Sequence, residues 1–182
     1  MNLRKLVIGS QLFFAREGTV IGVAPAAHTV SQAWKPDVEE APPYTHWASL
    51  GGCVDFTPTP KVTEQDVMEP TPGAYRRTDV VVTGTALDLS FSLTNVSELF
   101  FESLLLAGGA ITDDYQPGTG SGQIRGWLKC QQYDQGDAQR NVFDVYVSGM
   151  FKAQKMENKL IVAQFDAKVL YSALQSGNLS LA

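Results

Sequence analysis

The sequence predicts a mainly β fold, a β-sandwich or barrel-like domain with one flanking α-helix and a long extended loop. Three observations carry this. Hydrophobic residues recur with period two along most of the chain, one stretch spaces them as a helix does, and Pro- or Gly-containing segments punctuate the alternating runs. The 182 residues suit a single domain spanning 1–182. A chain of this size buries roughly 70% of its unfolded surface and needs no disulfide or metal to stay folded.

Residues 3–14 alternate, with Leu6, Ile8, Leu12 and Phe14 on one side, and the run resumes from Val20 to Val23. Segments 54–69 and 75–83 form a pair across Pro70-Thr71-Pro72-Gly73, where proline fixes φ and glycine frees it. The cleanest alternation is at 86–93, with Leu87, Leu89, Phe91 and Leu93 opposite Asp88, Ser90 and Ser92. Segments 124–133 and 141–148 read as a hairpin over a polar, Gly-containing loop. The set from Ile161 to Tyr171 repeats the one-sided pattern.

One helix is expected over 95–107. Asn95 caps it with Glu98 three positions on, and Gly108-Gly109 stops it. Phe101, Leu105 and Leu106 spread its apolar surface beyond one stripe, so burial on two sides is expected, against a neighbouring subunit or between two sheets. Residues 25–47 form a long loop with four prolines and the aromatics Trp34, Tyr44 and Trp47. Such aromatics either dock onto a partner or cover their own core. Residues 112–123 read as an exposed, Gly-rich connection.

The net charge of −5, with no basic run longer than the pairs Arg4-Lys5 and Arg76-Arg77, excludes a protein built to grip nucleic acid. A charged content of 18% is compatible with surface hidden between copies. Arg4 and Lys5 precede an apolar stretch, but Gln11 and Arg16-Glu17 break it and Phe13 occupies a position that a cleavage site keeps small. No apolar run reaches the ~18 residues that span a bilayer. The chain is therefore expected to be soluble, unprocessed and without a membrane anchor, and the sequons at Asn95 and Asn178 to carry no meaning. Cys53 and Cys130 form no redox or zinc pattern and are expected to be buried free thiols, their pairing left open.

Chemistry finds little support. Gly118-Thr119-Gly120-Ser121-Gly122 follows an acidic turn and lacks the Lys-Ser/Thr ending of a phosphate loop. His28 and His46, with Cys53, lack ligand spacing, and neither histidine lies near a nucleophile elbow. Glu39-Glu40 and Asp113-Asp114 are loop carboxylates. No enzyme, cofactor or metal site is expected.

The order of elements, with Gly51-Gly52-Cys53-Val54, Tyr75-Arg76-Arg77-Thr78-Asp79 and Leu87-Asp88-Leu89-Ser90-Phe91 followed by Glu98 to Leu106, resembles the tail tube proteins of long-tailed bacteriophages over nearly the whole chain. The resemblance implies a β-sandwich flanked by a helix, assembled as hexameric rings. These stack into a tube that contacts other tail proteins and passes DNA without binding it. It further implies a place in the virion after synthesis in the bacterial cytoplasm. The long loop and residues 1–5 would lock neighbours, with Trp34, Tyr44, Trp47, Phe101 and Leu105 at the interfaces. Glu64, Asp66, Asp88 and Asp166 are the acids expected to line the lumen. Other virion or tube-forming proteins, and a monomeric sandwich that binds a ligand, remain as alternatives.

Overall fold

Strand β1 (Val7–Arg16) is buried on both faces, which decides how the molecule is layered. Leu12 and Phe14 enter one core cluster, while Phe13 and Ala15 enter a second on the opposite face. The computed structural model describes residues 7–21, 27–36, 47–94, 99–100, 106–109, 117–118, 120, 122–134, 139–152 and 162–179. Two short strands follow, β2 (Val20–Ile21) and β3 (His28–Thr29), which among the described residues form a two-stranded sheet of their own. Six longer elements complete the order: β4 (Ala48–Thr71), β5 (Ala74–Leu93), β6 (Ile124–Asp134), β7 (Gln139–Phe151), β8 (Ala163–Leu170) and β9 (Ser176–Leu179).

The main sheet has seven strands in the order β6-β1-β4-β5-β8-β7-β9, every pair antiparallel. β6 also pairs with β7, from Ile124↔Gly149 to Tyr133↔Gln139, so the sheet curls back on itself. This differs from a sandwich of two separate facing sheets. One curled sheet brings its own concave face together, and its ladder bonds hold the layers that a sandwich holds by packing alone. β8 and β9 lie end to end along β7, at Phe151–Tyr146 and Asp144–Asn141, separated by the excursion 171–175.

Alternation explains the filling of the curl. Leu89, Phe91 and Leu93 of β5 and Ala163, Phe165 and Ala167 of β8 all face inward with Leu128, Cys130, Val147 and Phe151. Phe91 stacks on Phe165 at 5.1 Å, and Phe151 meets Phe165 edge-on at 4.8 Å. Contacts of this kind add about 0.5–1.5 kcal/mol each beyond area burial. The strands meet closely where Gly149 lies, since a Cβ there would stand 2.3 Å from the Asp166 carbonyl.

The expected flanking helix is not borne out among the described residues. Only Leu99 and Phe100 there carry helical backbone, and 95–98 and 101–105 lie outside the described residues. Phe100 is buried against Phe151 at 5.3 Å, so this short piece plugs the core of its own chain.

The second cluster sits on the outer face of β1, β6 and β7. Residues 27–36 cross it as a strap. Trp127, fully buried, donates its indole N–H to the carbonyls of Ser31 at 2.8 Å and Trp34 at 3.2 Å. Ser172 Oγ donates to the Gln32 carbonyl at 2.7 Å, and Lys35 Nζ reaches Asp144 Oδ2 at 3.3 Å and Ser176 Oγ at 2.9 Å. Strap, excursion and β9 are thereby tied to one another.

Candidate assembly interface

β4 and β5 pair from Cys53↔Leu93 to Thr71↔Ala74, the longest ladder in the molecule. Their turn follows from chemistry already visible in sequence. Pro72 takes the first corner and Gly73 the second at φ +85°, the type II arrangement, and Thr71 Oγ1 donates to the Ala74 carbonyl at 2.9 Å. Most of this ladder has no third strand among the described residues. β1 accompanies β4 only as far as Cys53, and β8 accompanies β5 only from Asp88. From Lys61 to the tip the ribbon projects ~35 Å at the usual strand rise.

The projecting part has a surface unsuited to water. No residue between 57 and 86 belongs to either core cluster. Tyr75 is 73% exposed and Val82 54%, and Val62, Met68, Val80 and Val81 are exposed as well. The run Val80-Val81-Val82 places apolar side chains on both faces of the ribbon. A two-stranded ribbon is marginal alone in water, and large exposed apolar patches mark surfaces that meet a partner.

Two bulges shape it. Register shifts occur at Thr63/Glu64 and Val67/Met68, where β5 carries the additional residue. The hydroxyls of Thr83 and Thr78 donate there to the carbonyls of Thr63 at 3.1 Å and Val67 at 3.2 Å. Bulges increase local twist, so the ribbon coils as it leaves the body.

The residues singled out from sequence fall in separate places. Trp47 is buried in the second cluster, with Lys129 Nζ 4.6 Å from its ring centre, and Trp34 packs half-buried against the same cluster, stacked on His28 at 5.0 Å. Both therefore cover their own chain's core, the alternative that the sequence left beside docking. Tyr44, Phe101 and Leu105 lie outside the described residues. Glu64 and Asp66 are exposed on the ribbon, where Asp66 pairs with Arg77 at 2.6 Å. Asp88 and Asp166 lie instead on the outer face of the body. Asp88 pairs with Lys61, while Asp166 accepts from Ser90 Oγ at 2.8 Å and pairs with Lys152 at 3.1 Å. The structure does not bring the four acids together. The exposed valines, Tyr75 and Met68 were missed, although three consecutive valines are a signal that one-sided burial does not explain.

Among the described residues no group of three His, Cys, Asp or Glu side chains is placed to hold a metal ion, and His46 lies outside them. No helix among the described residues is long and apolar enough to cross a membrane. Both cysteines are free. Cys130 is buried as expected and Cys53 only half-buried; burial pushes the Cys130 thiol up to about 12 and raises Cys53 too, so both stay protonated at neutral pH.

No family model matches the chain, and no curated protein matches it. Among solved structures, a chain of the anti-feeding prophage (AFP) baseplate, determined by cryo-EM and 6-fold symmetrised, aligns over 100% of both chains at 8% identity and a TM-score of 0.43. A likeness of that degree carries no argument about fold or role.

Proposed function

We propose that this chain is a structural subunit that assembles with copies of itself, and more specifically a subunit of a phage tail tube built from stacked, hexameric rings. The single observation behind the reading is the β4–β5 ribbon, which carries exposed apolar residues and two edges unpaired among the described residues. An edge of this kind invites pairing with another chain, and proteins that remain monomeric blunt or cover it. The ordering of elements that resembles tail tube proteins supplies the more specific identity. The acidic balance suits a conduit that duplex DNA crosses without adhering. The role is non-enzymatic, and the partners are further copies and other tail proteins in the virion.

Negative-stain electron microscopy of purified protein over a concentration series tests this. Rings or tubes with a central channel are expected and would give the symmetry directly. Discrete particles of monomer mass at every concentration would overturn the reading in favour of a monomeric module.

A further inference from the structure

We infer that neighbouring copies join head to tail through the ribbon, the outer edge of β4 between Val62 and Met68 pairing with the outer edge of β5 of a second copy, and that prolines bound this window. The inference rests on the self-assembly reading and adds which edges meet and where they stop.

Backbone direction comes first. The Thr63 and Val67 carbonyls receive hydroxyls from β5, so odd-numbered residues of this part of β4 turn their backbone groups towards β5. Alternation then turns the even-numbered ones outward. Pro58, Pro60 and Pro70 are all even, which fits the rule that a ladder tolerates proline only where its nitrogen faces away from the partner. The outer edge of β4 thus offers N–H donors at Val62, Glu64, Asp66 and Met68, with donor-free positions on both sides. Edge prolines are a means of preventing pairing, and here they leave four central positions open.

β5 has no proline between Ala74 and Leu93. The residues opposite outward positions of β4 are themselves outward, namely Val82, Val80, Arg77 and Tyr75. The Val80 N–H confirms the direction, donating at 2.7 Å to the side chain of Asp79 rather than to β4.

Charge selects the pairing. From 57 to 71, β4 carries Lys61 against Glu64, Asp66 and Glu69, a formal −2, whereas from 74 to 87, β5 carries Arg76 and Arg77 against Asp79, a formal +1. Like edges repel and unlike edges attract, so β4 meets β5 rather than another β4. Joining two different surfaces repeats from copy to copy, which yields a ring when the rotation closes.

Two substitutions test this, each removing one outward donor and no bond within the ribbon. Glu64→Pro blocks the β4 edge, and Val82→Pro blocks the β5 edge. Both variants should keep the wild-type circular dichroism and melting temperature yet run as monomers in analytical ultracentrifugation. An equimolar mixture should form 1:1 dimers and nothing larger, because each copy then retains one open edge. Hydrogen exchange on wild-type protein gives a readout independent of the variants, with amides at 62, 64, 66 and 68 gaining protection on assembly. Rings formed by both folded variants, or no protection gained at those amides, would overturn the edge assignment while leaving self-assembly intact. Dimers of Val82→Pro alone would overturn the head-to-tail order. A wild-type chain that stays monomeric would remove the assembly reading itself.

Discussion

At the residue scale, close backbone approach and burial set the sharpest constraints. A Cβ at Gly149 would stand 2.3 Å from the Asp166 backbone carbonyl and 2.7 Å from Cε1 of the core residue Phe165. Gly149→Ala should therefore cost at least about 1–3 kcal/mol, read as a lower urea midpoint. Gly52→Ala meets nothing within 4 Å and serves as the neutral control. Cys130 gives a pH dependence. Burial lifts its thiol from an ordinary 9.0 to about 12, so the unfolded chain loses this proton first as pH rises. Stability is then fully present below pH ~9 and falls by about 1.4 kcal/mol per pH unit above it. Burial, then a hydrogen bond to Glu17, raises the Tyr146 phenol well above 10.0, adding a decline of the same sign at higher pH. The urea midpoint should be flat from pH 7 to 8 and fall from 9 to 11. Cys130→Val should lose the first part of that fall. Cys53 pairs with Ser10 and Cys130 with Leu12, on opposite sides of β1. Two ladder spacings of about 4.8 Å exceed disulfide reach, so reduced and oxidised samples should have the same mass.

At the element scale, the hairpins were the legible part of the sequence. The 54–69 and 75–83 pair, its Pro72-Gly73 turn and the 124–133 and 141–148 pair all stand where alternation and turn chemistry placed them. Alternation records which residues share a face and leaves open what covers that face. Thus Leu87 to Leu93 enters the core, while the equally strand-like 75–83 projects into solvent. The closure of β6 on β7 and the end-to-end placing of β8 and β9 are long-range pairings with no local signature. The loop aromatics were ambiguous for the same reason. Trp34 and Trp47 are apolar beside prolines whether they meet a partner or their own strands, and in the folded chain both pack against the second cluster, Trp47 buried and Trp34 half-buried. The separation of ribbon from body has a direct consequence. Replacing residues 62–85 by Asn-Gly, a two-residue hairpin turn, joins the paired positions Lys61 and Ala86 and removes no core side chain. The shortened chain should fold with a melting temperature within a few degrees of the parent, read by circular dichroism, and should not assemble.

At the scale of the whole molecule, a closed body carries one unclosed arm, and the charge of the assembly follows from repeating both. Each copy has a formal charge of −5, so the proposed ring of six would carry −30. The ribbon adds Glu64, Asp66 and Glu69 to an exposed surface whose Arg77 is already paired with Asp66. Asp88 and Asp166 on the body face are paired with Lys61 and Lys152, and the exposed Lys168 across from Asp88 leaves that face a single excess positive charge, not a basic cluster. Duplex DNA adheres where cations replace its condensed counterions, and neither surface offers a cluster of unpaired Lys and Arg among the described residues. A channel lined by either should repel phosphates or ignore them. Repulsion is screened over about 8 Å at physiological salt, so it acts at the wall and not across a wide lumen. Assembled protein mixed with linear duplex DNA at 150 mM salt should retain none of it on a filter, and lowering the salt should not create retention. Retention that strengthens as salt falls would mean counterion release onto a basic surface, and the conduit role would have to be abandoned even if the rings form.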